Sequence, residues 1–185
     1  MTSSIEPLFQ TARLRVRRWI AQDLQALEDV YGDRDAMRWV GDGEPLSRLQ
    51  CEEWLQVTDA NYRKRGYGMF TVEARGTGAV VGFCGLVHPG GQPDVEVKYA
   101  FLRSYWGQGL ATEAVAALLA FAGEILGIEH VIATVAPDNT ASHRVLAKAR
   151  MTQRSPRHNP DGSITHVSSG VRRIQLDAGG ATAQA

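Results

Sequence analysis

The sequence predicts a mixed α/β domain on a mostly antiparallel central sheet of about seven strands, with about four helices. Three observations carry this. Some runs alternate apolar and polar residues as strands do, and others repeat apolar residues at helical spacing. Their order is strand, two helices, three strands, helix, strand, helix, two strands. The three consecutive strands read as an antiparallel meander, and the long helix after them returns the chain in a parallel crossing. A length of 185 residues, 44% hydrophobic and 22% charged, suits one such domain.

Each element has its own reason. Leu14 and Val16 alternate with Arg13, Arg15 and Arg17, predicting a strand over Arg13–Trp19. Leu24, Leu27 and Val30 share a helical face over Ala21–Tyr31. Pro45 and Ser47 open a second helix, with Gln50 at capping-box spacing and Leu49, Trp54 and Val57 as its expected apolar side. It ends before Gly66. Strands Gly68–Ala74 and Val80–Val87 flank the glycine turn RGTG. In Asp94–Leu102, Val95, Val97, Tyr99 and Phe101 take one face and Glu96 and Lys98 the other. Leu110, Ala114, Leu118, Phe121 and Ile125 recur at helical spacing in a long helix that Gly127 stops. His130–Val135 is a short strand, and Asn139–Ala149 a helix capped by Asp138 or Asn139. Met151–Leu176 reads as two strands around NPDG. Residues 1–10 are expected to be poorly ordered, 11–177 to form the single domain, and 178–185 to be a flexible tail.

Composition narrows the function. Twenty basic and twenty acidic residues leave no net charge, which argues against general nucleic-acid binding. Cys51 and Cys84 stand far apart without a CxxC, so neither a disulfide framework nor a zinc knuckle is expected, and both read as small buried hydrophobes. The five histidines show no metal spacing. MTSSIEPLFQ lacks the basic and apolar regions of a signal peptide. The longest apolar run, Ala114–Ala122, is far short of the ~20 residues that span a bilayer. A cytoplasmic protein without membrane contact is expected.

The sharpest local feature is Trp106-Gly107-Gln108-Gly109-Leu110-Ala111, directly after a strand and opening a helix. The bare pattern fits either a tight turn or a phosphate cradle of free N–H groups on a helix dipole. No Gly-Lys-Ser/Thr follows, so it is not a P-loop, and the spacing is wrong for a dinucleotide fingerprint. Asn139-Thr140-Ala141-Ser142 is read as a helix cap. Glu96, on a strand face, is either solvated or a general base lining a cleft.

In this order, the Glu-bearing strand, the GQG turn, the long helix, the short strand and the Asn-x-x-Ser helix resemble the GNAT superfamily of acyl-CoA-dependent N-acetyltransferases. Within it they resemble the Rim-type branch, which acetylates ribosomal-protein N-termini. The resemblance covers roughly residues 11–152. It rests on Thr11 to Trp19, Asp23, Val81-Gly82-Phe83-Cys84-Gly85-Leu86, Tyr105 to Ala114, Asn139 to Ser142, and Lys148 with Met151.

The resemblance implies a splayed fourth and fifth strand pair with the pantetheine arm of acetyl-CoA between them. It places the pyrophosphate on Gly107, Gln108, Gly109, Leu110 and Ala111, with Thr112 nearby. The pantetheine falls on the backbone of Phe101 and Leu102, and Asn139 contacts it or orients Ser142. An aliphatic amine, with a pKa of about 10, must lose a proton to attack a thioester. Glu96 is the expected general base, directly or through water. Ser142 is the expected proton source for the leaving thiolate, and an N–H near Phe101–Leu102 the expected oxyanion donor. Three departures stand out. Lys98, where the branch often has Gly, would weaken Glu96 as a base if the two lie close. Arg150 stands where Gly is usual. Trp106 replaces the Arg or Gln of the wider superfamily.

The expected activity is therefore transfer of acetyl from acetyl-CoA to a primary amine, a protein N-terminus or a small molecule, by direct attack in a ternary complex without metal. A non-catalytic acyl-CoA-binding or interaction module is the alternative, and a nucleotide or phosphosugar enzyme is a third. Ten acids against three bases over Asp23–Asp59 suggest a cationic acceptor, and seven bases against one acid over Arg144–Arg173 a side for anionic CoA. A homodimer is common in the branch.

Overall fold

The computed structural model describes residues 6–171. Its strands are β1 (Phe9–Gln10), β2 (Leu14–Arg18), β3 (Met69–Ala74), β4 (Val80–Val87), β5 (Val95–Phe101), β6 (His130–Val135), β7 (Thr152–Gln153), β8 (Arg157–His158) and β9 (Ile164–Val171). The helices are α1 (Leu24–Tyr31), α2 (Arg34–Met37), α3 (Arg48–Arg65), α4 (Leu110–Glu124) and α5 (Thr140–Lys148). The expected mixed, mostly antiparallel sheet is present. Its strand order is β1-β2-β3-β4-β5-β6-β9-β7, with β8 paired to β9. Of its pairings only β5 with β6 is parallel, and their ladder holds at Val95↔Val131 and Glu96↔Ile132 alone.

Among the described residues there are nine strands against the expected seven or so, and five helices against about four. The extra strands are pairs of residues too short to show alternation. Phe9–Gln10, inside the stretch expected to be poorly ordered, pairs with Arg15 and Val16. The region around NPDG carries three strands rather than two, the two-residue β7 and β8 and the eight-residue β9. Expectations for residues 1–5 and 172–185, the tail included, lie outside the described residues.

The helices pack as two layers. Leu110, Ala114, Val115 and Leu118 of α4 and Leu146 of α5 bury one sheet face, against Val97 and Phe101. Leu27, Val30 and Tyr31 of α1 and Cys51 of α3 bury the other, with Phe83 and Ala100. The α3 capping box forms as expected: Ser47 Oγ accepts the Gln50 N–H and Gln50 Oε1 accepts the Ser47 N–H at 2.8 Å. Its apolar side differs from expectation. Leu49 and Val57 are exposed, and the helix buries Cys51, Thr58 and Tyr62. Spacings of seven and four put these three on one face, with Trp54 and Leu55 flanking. Ile125, expected on the core face of α4, is also exposed, because the helix caps there and turns outward.

Arg150 follows α5 with φ +63°, a left-handed conformation that normally takes glycine. The cap is complete: Met151 N–H donates to Leu146 C=O and Arg150 N–H to Ala147 C=O. The turn glycine would make is thus kept, at a cost in backbone strain.

Candidate active site

The GQG turn is built by glycine and braced by Thr11 and Arg13, just before β2. Gly107 and Gly109 take φ of +74° and +76°, and Gly109 caps α4. The Arg13 guanidinium donates to Gln108 C=O at 2.9 Å and to Glu113 Oε2 at 2.7 Å. Thr11 Oγ and the Arg13 N–H donate to Glu113 Oε1 at 2.5 and 3.0 Å. Burial pushes the Glu113 carboxyl up, but the bonds from Thr11 and Arg13 outweigh it and hold it below its ordinary value. The first N–H groups of α4 have no carbonyl four residues back to meet, so the braced turn presents free donors at the positive end of a helix dipole.

Beyond Glu96 and Ile132, β5 and β6 part. Leu102 N–H donates to Val81 C=O at 3.0 Å, and this sets the alternation along the β4–β5 ladder. By it, Phe101 and Tyr99 turn their backbone groups away from β4 toward the gap. Trp106 Nε1 donates to the Phe101 C=O at 2.7 Å. The Phe101 N–H therefore faces the gap, while Leu102 N–H, expected as an oxyanion donor, is consumed by β4. Gly82 allows this close packing: a Cβ there would lie 2.5 Å from Ala100 O.

The gap opens into a cavity of about 1520 Å³. This exceeds the ~300–1,000 Å³ of a usual small-molecule pocket. At one end it reaches Gly107, Gly109, Leu110, Ala111, Thr112, Asn139 and Ser142; it passes Phe101 and continues to α1, α2 and α3. Lys98 and Ala100 line it from one sheet face and Tyr99 and Phe101 from the other, so it crosses the sheet. Of the expected site residues, Glu96, Leu102 and Gln108 are not on its wall.

Ser142 is on the wall and oriented. Asn139 Oδ1 accepts the Ser142 N–H at 3.1 Å, which makes Asn139 the α5 cap. Tyr99 O–H donates to Ser142 Oγ at 3.1 Å. Burial pushes the Tyr99 phenol up to about 12, with the Ser142 contact opposing, so it stays a neutral donor. No local pattern in the sequence marks Tyr99. Its alternation says only core face, and the contact joins residues 43 positions apart.

Glu96 is 2% exposed and fully engaged. Its Oε1 forms an ion pair with Lys98 Nζ at 2.5 Å and accepts from Thr134 N–H at 3.2 Å and from Thr134 Oγ; its Oε2 accepts from Gln92 Nε2 at 3.0 Å. Lys98 also donates to Thr134 Oγ at 3.1 Å. Lys98 and Glu96 thus lie close, the condition raised for Lys98 from the sequence.

The far end is lined by Met37, Trp39, Val40, Leu46, Trp54 and Val57, with Asp42, Glu53, Arg38 and Arg65 among them. Of the acid-rich stretch, Asp42 and Glu53 on this wall form no salt bridge among the described residues, while most of the other acids are paired. Asp23, Glu28, Asp33, Asp35, Glu52 and Asp59, six of its ten acids, are bridged to arginines. At the other end Arg144 and Lys148 line the cavity. Among the described residues, no group of three or more His, Cys, Asp or Glu is placed to hold a metal ion, and no helix is long and apolar enough to cross a membrane.

Residues 13–152 match the family profile of the acetyltransferase (GNAT) domain. The chain is 27% identical over 144 residues to the uncharacterized N-acetyltransferase YoaA of Bacillus subtilis, covering 77% of this chain and 81% of that one. It superposes on RimL, a ribosomal L7/L12 alpha-N-protein acetyltransferase in complex with coenzyme A, with a TM-score of 0.76 at 16% identity, covering 90% and 98% of the two chains. With spermidine N-acetyltransferase from Vibrio cholerae, in complex with CoA and spermine, the TM-score is 0.71 at 15% identity, covering 87% and 96%.

Proposed function

The chain belongs to the acetyltransferase (GNAT) domain family, and from that premise we propose that it moves acetyl from acetyl-CoA to a primary amine by direct attack in a ternary complex, as a member of the Rim-type branch. One observation carries this reading: the cavity runs from the braced GQG turn, through the parted β5 and β6, to the opposite face of the sheet. Two substrates approaching from opposite faces would meet in the gap. That RimL holds CoA and acts on a protein N-terminus, and that the spermidine enzyme holds CoA with a polyamine, supports the choice of cofactor and of an amine.

In this reading the N–H groups of Gly107 to Thr112 hold the pyrophosphate, as convergent donors suit an anion. Arg144 and Lys148 stand on the same side. The free edge of β5 at Tyr99 and Phe101 hydrogen-bonds the pantetheine amides as a missing strand would. Ser142, held by Asn139, gives its proton to the departing thiolate, with the Tyr99 hydroxyl behind it. The acceptor enters between α1, α2 and α3.

Thiol release from acetyl-CoA over a panel of amines tests the reading, with peptide N-termini, polyamines and apolar amines all included. Turnover with at least one class is expected. CoA binding without turnover on any amine would replace the enzyme with an acyl-CoA-binding module.

A further inference from the structure

We propose that Lys98 is the catalytic residue that meets the thioester oxygen, and that Glu96 is its positioning residue rather than the general base. This rests on the acetyltransferase reading and changes which side chain acts in it.

A carboxylate offers about four acceptor positions. On Glu96, Oε1 takes the Lys98 ammonium, Thr134 N–H and Thr134 Oγ, and Oε2 takes Gln92 Nε2. Both oxygens are engaged and the side chain does not reach the cavity, so an amine or a water entering there does not meet it. Its place in the sheet explains what it does instead. The β5–β6 ladder stops at Glu96↔Ile132, and Thr134 is the next residue of β6 whose side chain shares the face of Ile132. Its N–H donates to the Glu96 carboxylate, where a continued ladder would have supplied a backbone carbonyl. Glu96 thus closes the sheet at the point where the two strands separate.

The same carboxylate fixes Lys98. An ammonium has three N–H donors. The ammonium is ion-paired with Glu96 and donates across the gap to Thr134 Oγ at 3.1 Å, and because Lys98 also lines the cavity it can offer an N–H there. Ser142, the proton source for sulfur, stands on the α5 side of the sheet; Lys98 stands on the other, one residue before Tyr99. A thioester with its sulfur at Ser142 and its carbon open to an amine from the α1–α3 side has its oxygen in the gap that Lys98 spans. As the amine nitrogen adds to the carbonyl carbon, the C=O π pair moves onto oxygen, where the ammonium stabilises it with the free edge of β5. The amine proton leaves to cavity water, the C=O bond re-forms, and the C–S pair departs on sulfur and takes the Ser142 proton, which solvent restores.

Infrared spectroscopy of acetyl-CoA carrying a ¹³C carbonyl reads this contact without any acceptor. Binding to the wild-type protein is expected to lower the carbonyl stretching frequency, and Lys98→Met to lose most of that shift while still binding acetyl-CoA in calorimetry. In turnover, Lys98→Met is expected to lower kcat about a hundredfold at unchanged KM for acetyl-CoA, with partial rescue by Lys98→Arg. Glu96→Gln, which keeps acceptors for Thr134, is expected to lower kcat by less and to leave the acid limb of the pH–rate profile in place. A base at Glu96 predicts the reverse. Removing a neighbouring cation strengthens a carboxylate base, so Lys98→Met would then match or exceed wild type, and Glu96→Gln would erase the acid limb. Either result, or a carbonyl frequency indifferent to Lys98→Met, overturns the proposal. Failure to bind acetyl-CoA at all would overturn it together with the acetyltransferase reading.

Discussion

Glu73 on β3 and Glu96 on β5 are both buried carboxylates on sheet strands, and both are held by cations from the same or a neighbouring strand. Glu73 accepts from Arg15 Nε at 2.7 Å and Arg17 Nε at 2.6 Å. Arg17 also takes Asp23 with both terminal nitrogens, at 2.8 and 2.7 Å, and Thr71 Oγ donates to Asp23 at 2.8 Å. Glu96 is as deeply placed and as fully bonded. What differs is the sheet around them. β2 pairs with β3 over five consecutive residues, so the Glu73 network is sealed and every charge in it meets another. The β5–β6 ladder stops beside Glu96, so there one cation is left facing a cavity. Burial and pairing alone therefore do not mark a functional charge. In our proposal, a break in the neighbouring ladder does.

The largest expected effect lies in the sealed network. Arg17→Met leaves Asp23 buried without its cation and Glu73 with Arg15 alone, and should cost about 3–5 kcal/mol of stability in urea denaturation. CoA affinity of the folded protein should not change. A loss below about 1 kcal/mol would make this network no different from a surface pair, and the contrast with Glu96 would fail.

At the open site the effect falls on rate. Ser142→Ala should lower kcat about a hundredfold, the lower range for a general acid, with stability near wild type. Tyr99→Phe removes one neutral hydrogen bond of ~1 kcal/mol and should lower kcat only about fivefold. It has a second signature. Burial raises the Tyr99 phenol to about 12, so the fold favours its neutral form. The stability this provides is present below the unfolded value of about 10 and is lost as pH climbs through the folded one. Denaturation midpoints should fall with pH over that window in wild type and fall less in Tyr99→Phe. Equal slopes would mean that Tyr99 is solvated.

Smaller still is a change at the end of α5. Arg150→Gly relieves the left-handed strain and should add about 1 kcal/mol, raising Tm by about 2–4 °C. A lower Tm would show that the Arg150 side chain contributes more than its backbone costs.

The candidate site was legible in the sequence where its chemistry is local. The Gly107–Ala111 turn depends on glycine conformations and a following helix, and Asn139 caps a helix three residues from Ser142, so short-range rules find both. Glu96 was legible only as a carboxylate on a strand. Its four donors come from the turn before β5, from Lys98 and from β6, and no spacing in the sequence reports that they meet. The acidic stretch over Asp23–Asp59 shows the same limit from the other side: its count is visible, but six of those acids are neutralised by arginines, among them Arg17, Arg63 and Arg103, that lie outside it.

By itself the sequence determined the order of the longer strands and helices, the glycine turn and the caps, because apolar period, turn chemistry and capping act within a few residues. The tertiary structure alone decided where β5 and β6 part, which buried carboxylate faces a cavity through its cation, and that Tyr99 stands behind Ser142. Those outcomes depend on which backbone groups find partners across the sheet, and that is settled by packing between segments tens of residues apart.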